Sequence, residues 1–303
     1  MRLATGDGST WLALLPSPSR NVWHLGPLPI RAYAMCLLAG IVVACVVGAK
    51  RLGQRGYPPE LMYDVAIWAV PFGIVGARIY HVLSSPGAYF GPGGDPMKVF
   101  SIWEGGLGVW GSIALGAVGG LIAAKRHKIP VGILADSLAP GIVLGQAVGR
   151  LGNWFNQELF GGPTTLPWGL RVSADRALAA GQPDGTLFHP TFAYELVWNL
   201  LVFVTLIWLD RRLRLRHGQV FGLYMALYCL GRLWIEMLRV DPASHLLGLR
   251  LNVWTSVVIG LAGLAIFAWS RYHFRDTEEE DPDSETEPVT TAEPGADDAE
   301  PES

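Results

Sequence analysis

Seven apolar blocks, each close to 20 residues long, divide most of this 303-residue chain, at about 30–49, 61–83, 107–124, 131–148, 192–209, 219–238 and 251–270. A helix rises about 1.5 Å per residue, so each block matches the roughly 30 Å hydrocarbon core of a bilayer. Half of the residues are hydrophobic and only 16% are charged, against about a quarter charged in ordinary soluble domains. The spacing predicts an all-α integral membrane protein with seven transmembrane helices. The third and fourth blocks are rich in glycine, which lets helix backbones approach closely, so both are expected inside the bundle.

Lysine and arginine set the expected orientation. Lys50, Arg51 and Arg55 follow the first block, and Lys125, Arg126 and Lys128 the third. Arg211, Arg212, Arg214 and Arg216 follow the fifth, and Arg271 and Arg275 the seventh. Every second boundary is basic, so the positive-inside tendency predicts the N-terminus outside and the C-terminus in the cytoplasm. Residues 1–29 then form an extracytoplasmic N-terminal segment, and 30–275 the membrane domain. An outer head region is expected at about 149–190, between the fourth and fifth helices, because a connection that long is usually functional or folded in its own right. The apolar run at 11–15 is too short for a cleavable signal and is followed by Pro16 and Pro18.

Thirteen of the 26 acidic residues lie after Arg275, so 276–303 is expected to be a disordered acidic tail. Without it, 23 basic residues face 13 acidic ones, a charge of about +10 that suits anionic lipid surfaces. No basic cluster interleaved with aromatics appears, so no nucleic-acid partner is expected. Cys36, Cys45 and Cys229 fall inside apolar blocks with no metal-binding spacing and are expected to be buried thiols. No metal or cofactor is expected.

A charge at the bilayer centre costs at least about 2.5–3.5 kcal/mol on insertion scales, so charged residues within the blocks mark cavities or partners. Tyr228, Arg232, Glu236 and Arg239 follow one another in steps of four, four and three, one narrow stripe of a helix. Arg232 and Glu236 can pair directly, and Arg239 can snorkel to the interface. The segment GRLGNWFNQELFG at 149–161 concentrates Arg150, Asn153, Asn156, Gln157 and Glu158 beside the fourth block. These do not fall on one helical face, so the helix is expected to break there, where backbone can line a cavity. Asp64, Arg78, Asp136 and Glu195 are expected to pair with one another in the bundle. His189 reads as a hydrogen-bonded anchor at the interface.

The 149–161 segment resembles the signature GRxGNFxNxExxG of the prolipoprotein diacylglyceryl transferase family. LGPLPIRAYAM at 25–35, WEGGLGVWGS at 103–112, HPTFAYE at 189–195 and GRLWIEMLRVDP at 231–242 resemble further motifs of that family, in the same order. The resemblance covers most of 25–270. It implies an enzyme of the bacterial cytoplasmic membrane, multi-pass, with its active site toward the outer leaflet. The reaction it implies moves a diacylglyceryl group from phosphatidylglycerol to the lipobox cysteine of a preprolipoprotein signal peptide, forming a thioether and releasing glycerol phosphate.

By the same resemblance, Arg150 holds the lipid head group and Arg232, oriented by Glu236, neutralises the leaving phosphate. Asn153, Glu158, Gly161, Tyr33, Tyr228 and Arg239 complete the substrate site, with Asn153 and Glu158 bonded to head-group hydroxyls or to one another. Arginine suits the task because it stays charged and offers a fork to phosphate oxygens. The resemblance departs at Trp110, where better-known members read GGLSFHGG and carry a histidine proposed as the base. A tryptophan cannot accept a proton, which leaves Tyr33, Glu158 or no dedicated base. Arg31 also replaces a common histidine. A membrane transporter for an anionic or lipid substrate is the competing reading, since intramembrane charges also line transport paths. It predicts two related halves, and no internal repeat is visible. An intramembrane protease built on Ser112 is a third reading, but serine beside glycine ordinarily serves helix packing.

Overall fold

The computed structural model describes residues 15–26, 28–241 and 243–274; of Leu28 only the backbone is described. The expected tail at 276–303 and the short apolar run at 11–15, apart from Leu15, lie outside these residues. The described chain is mostly helical. Its long helices are α1 (Ala32–Gly53), α2 (Leu61–Ser84), α4 (Val109–Arg126), α5 (Val131–Asn156), α7 (Thr191–Leu213), α8 (Gln219–Leu238) and α9 (Leu251–His273). Two short helices, α3 (Gly87–Phe90) and α6 (Ala174–Ala179), lie in the connections. Among the described residues six helices are long and apolar enough to cross a membrane; α4, which ends in Lys125 and Arg126, is not one of them.

The helices run up and down. α1 lies antiparallel to α5 at very close range: a Cβ on Gly40 would sit 2.7 Å from the carbonyl oxygen of Gly145. At the two ends of this pair, Tyr33 rests on Gly152 and Met62 of α2 touches Gly48. α2 and α4 form a second glycine-matched pair, and a Cβ on Gly111 would meet the Gly76 carbonyl at 2.0 Å. α8 packs along α9, and α5 also packs on α7. α5 is therefore central, as its glycines predict. α4 is not: it leans on α2 and barely meets α5.

The surface is apolar where a soluble protein would be polar. Leu38, Val42, Ile67, Leu201, Val204, Val258, Leu261 and Trp269 all point outward from their helices. A continuous apolar girdle of this kind needs lipid or a partner to cover it. The last turns of α1, α4, α7 and α9 carry Lys50 and Arg51, Lys125 and Arg126, Arg211 and Arg212, and Arg271. Those of α5 and α8 hold no basic residue, and that of α2 only His81. One end of the bundle is thus strongly basic, and cations there also complement the helix C-termini.

Connections at the opposite end are structured. β1 (Leu15–Pro16), β4 (Leu170–Arg171) and β5 (Leu187–Phe188) form a small sheet in the order β1-β4-β5, over a core of Leu170, Val172, Ala177 and Phe188. β2 (Val22–Leu25) and β3 (Leu28–Arg31) make a hairpin ahead of α1, and β6 (His245–Leu246) and β7 (Leu249–Arg250) another between α8 and α9. The connection after α2 folds around Arg78, which donates to the carbonyls of Val99 at 2.8 Å, Gly105 at 2.8 Å and Gly106 at 2.9 Å, and also to Lys98.

The four charged residues expected to pair with one another do not. Arg78 takes backbone carbonyls, Asp64 faces His127 at 3.4 Å, and Asp136 accepts the amides of Gly218 and Phe221 at 2.9 and 3.0 Å. Each sits near a helix end, where unsatisfied backbone groups offer closer partners than another helix. Glu195 does pair, with arginines outside that set. Cys229 is buried, but Cys36 and Cys45 are only half-buried, because α1 turns part of its face outward.

Candidate active site

α5 does not break at its glycines. It continues to Asn156 and stops where Gln157 takes a left-handed conformation at φ 51°. Leu159 is also left-handed, at φ 59°, so the chain doubles back and returns Glu158 to the helix. Arg150, Asn153 and Asn156 stand at three-residue steps and share a face after all. Arg150 Nη1 donates to Asn153 Oδ1 at 3.3 Å. Asn153 Nδ2 and Asn156 Nδ2 both donate to Glu158 Oε1, at 2.9 and 3.3 Å. The polar density that reads as a break is a self-satisfied helix end.

Glycine in this segment makes room. A Cβ on Gly152 would lie 2.7 Å from the ring of Tyr33, so the absence of a side chain there lets the tyrosine pack against α5 within a turn of Arg150. Gly161 bridges to Arg239 in antiparallel fashion, and a Cβ there would lie 2.7 Å from His189 Cβ and 2.9 Å from the Leu238 carbonyl. Gly161 thus fastens the segment after α5 against the end of α8.

The stripe on α8 faces this helix end. Tyr228 accepts a hydrogen bond from Arg150 Nη2 at 3.4 Å. Arg232 Nη2 pairs with Glu236 one turn on. Glu236 is 0% exposed. It also accepts from Arg239 Nη1 at 3.3 Å, Arg250 Nε at 2.9 Å and Asn252 Nδ2 at 2.9 Å. Arg239 does not snorkel, since Asp241 holds it at 2.7 and 2.9 Å beside Glu236. Arg250 Nη2 reaches Asp241 at 3.0 Å. Burial disfavours charge on Asp241, yet the bonds and charges of Arg239 and Arg250 outweigh it and hold its carboxyl below the usual range.

α7 joins the two groups. Glu195, whose side chain is 4% exposed, sets Oε2 at 2.8 Å from Arg150 Nη2 and accepts from Arg232 Nη1 on Oε1 at 3.0 Å. Two guanidinium groups from α5 and α8 therefore converge on one carboxylate inside an apolar bundle, their side chains 18% and 15% exposed. Sequence reasoning places Arg150, Arg232, Glu236, Tyr228, Asn153, Glu158, Tyr33, Gly161 and Arg239 in this region, and the structure gathers all nine. It adds Glu195, Asp241, Arg250 and Asn252. Asp241 lies within the quoted 231–242 motif; Arg250 and Asn252 carry no periodic signal, because the β6–β7 hairpin brings them back. Trp110 stands exposed in the first turn of α4.

Comparison with known proteins shows the family. Residues 20–269 match the family described as prolipoprotein diacylglyceryl transferase. The chain is 53% identical over 266 residues to the phosphatidylglycerol–prolipoprotein diacylglyceryl transferase of Mycobacteroides abscessus, covering 84% of this chain and 78% of that one. Against the Frankia alni enzyme of the same name it is 58% identical over 248 residues, 82% of this chain but only 65% of the relative. Against the second Streptomyces coelicolor enzyme it is 53% identical over 262 residues, covering 86% and 82%. With arginines, asparagine, glutamates and glycines of the quoted motifs meeting at one end of the bundle, and with matches of this extent, the chain belongs to the prolipoprotein diacylglyceryl transferase family.

Proposed function

We propose that this protein transfers the diacylglyceryl group of phosphatidylglycerol to the lipobox cysteine of preprolipoproteins, the reaction for which its relatives are named. One observation carries the reading: Arg150 and Arg232, on separate helices, point at a shared position near the non-basic end of the bundle. In the reaction the cysteine sulfur bonds to the terminal glyceryl carbon, and that carbon's bond to the phosphate oxygen breaks. The electron pair leaves with the phosphate as glycerol phosphate. Arg150 holds the phosphate and Arg232, braced by Glu236, stabilises the charge that grows as it departs. Asn153, Glu158 and Tyr228 line the head-group side with Gly161, Tyr33 and Arg239. The thiol proton goes to Glu158 or, with no dedicated base, to water, since neither Trp110 nor the protonated phenol of Tyr33 can take it.

In this reading α4 is the seventh span, short at about 27 Å but matched to α2 by glycine. The basic turns of α1, α4, α7 and α9 face the cytoplasm, which sets the site toward the outer leaflet of the cytoplasmic membrane. Residues 1–29 then form an extracytoplasmic N-terminal segment, 30–275 the catalytic domain with its outer head at about 149–190, and 276–303 a cytoplasmic tail. The family match gives a transporter no support. Purified protein incubated with a lipobox peptide and phosphatidylglycerol is expected to yield a peptide heavier by one diacylglyceryl group, read by mass spectrometry, and Arg150→Ala to yield none. Undiminished product from Arg150→Ala would remove that residue from its role; no product from the wild type would overturn the reading.

A further inference from the structure

Glu195 sits where the proposed reaction needs a phosphate. Its carboxylate spreads one negative charge over two oxygens, and each oxygen faces a different arginine, at 2.8 and 3.0 Å. A phosphodiester likewise presents one negative charge on two free oxygens. The two contacts are not alike. Arg232 donates a directed hydrogen bond to Oε1, and the same arginine is held by Glu236. The Arg150 contact is close but badly aimed, and the buried Oε2 receives no directed hydrogen bond from any described residue. Arg150's other bonds, to Asn153 and Tyr228, are long at 3.3 and 3.4 Å. Arg232 is held by directed bonds on two sides; Arg150 has one close contact and two long bonds.

Charge points the same way. The ion-paired set comprises Arg150, Arg232, Arg239 and Arg250 against Glu195, Glu236 and Asp241, and Glu195 is the one carboxylate between Arg150 and Arg232. Glu158 lies outside it, bonded to Asn153 and Asn156. Two facing guanidiniums in a low-dielectric interior repel strongly unless an anion lies between them.

We propose that Glu195 is the resident anion of the head-group site, a positioning residue that holds Arg150 and Arg232 apart at phosphate spacing and yields Arg150 to the lipid phosphate when substrate enters. This rests on the functional reading above and adds a competitor built into the site. Removing the competitor strengthens head-group binding while spoiling the alignment that turnover needs. A merely structural ion pair gives the opposite sign for binding, because its loss loosens the site.

The test uses the full chain in detergent, with sn-glycerol 1-phosphate as the binding probe and peptide lipidation as the activity. Glu195→Gln is expected to bind glycerol phosphate about ten-fold tighter than wild type. Its KM for phosphatidylglycerol should fall and its kcat should drop at least about a hundred-fold. Should that variant fail to fold, Glu195→Asp keeps the charge but retracts it toward α7, away from Arg150, and is expected to bind the probe several-fold tighter. Equal or weaker probe binding by a folded Glu195 variant overturns the assignment while wild-type lipidation leaves the functional reading standing. A wild type without lipidation overturns both.

Discussion

Each end of the bundle buries arginines with carboxylates, and the two clusters are built to different ends. At the basic end, Arg51 and Arg55 share Asp210 at 2.9 and 3.3 Å, while Asp136 spends its oxygens on the first amides of α8. Arg51 also donates to the Asp136 carbonyl at 3.0 Å, tying α1 to α5. Both carboxylates are fully engaged by directed bonds, although Arg51 Nε has no partner among the described residues. At the other end a buried oxygen of Glu195 lies under Arg150 without a directed bond from any described residue. A carboxylate with both oxygens bonded braces helices. One that leaves an oxygen without a directed bond leaves its arginine available to another anion.

That contrast is sharpest when the same change is made at both ends. Arg232→Lys is expected to lower turnover about 10²–10³-fold, as for loss of a donor aimed at developing charge, because a compact ammonium lacks the planar fork whose two ends reach Glu195 and Glu236. Arg51→Lys should leave turnover per folded molecule within about two-fold and show itself only as a lower melting temperature. Equal losses of activity in steady-state lipidation assays would erase the distinction between the ends.

Asp136→Ala comes next in size. It strands two amides at the start of α8, at roughly 1–3 kcal/mol for each buried group left unsatisfied. Thermal unfolding should register the loss while the surviving folded protein keeps its KM for phosphatidylglycerol. A raised KM would mean that the basic end also shapes the substrate site.

The smallest effect concerns pH. Asp241 has a carboxyl depressed below its unfolded value of about 3.9, so its stabilising contribution is complete above that value and is lost as the pH falls through the folded one. Asp241→Asn should therefore melt lower than wild type at neutral pH, and the gap should narrow as the pH falls below the unfolded value of about 3.9. A gap that stays constant across that range would show that Arg239 and Arg250 do not act through this charge.

Much of this architecture is legible in the sequence, for reasons that differ by element. α8 is located to the residue at 219–238, since an apolar block with a four-four-three polar stripe admits one reading. α5 is not, because Asn153, Asn156 and Glu158 satisfy one another through two left-handed residues that composition does not reveal. The expected pairing of Arg232 with Glu236 needs only helical spacing. Glu195 is different: its partners lie on α5 and α8, 45 positions before it and 37 after it, and no local pattern links them. Arg250 and Asn252 escape for the same reason, reaching Glu236 only after the chain turns through β6 and β7. Local periodicity shows which residues share a helix face, and the packing of helices decides which faces meet.

The most direct test of the anion-receiving cluster is an experimental structure of the protein with phosphatidylglycerol bound. The account predicts the lipid phosphate within hydrogen-bonding distance of both Arg150 and Arg232, with Arg150 turned away from Glu195. A phosphate bound elsewhere, with both guanidiniums still closed on Glu195, would contradict it.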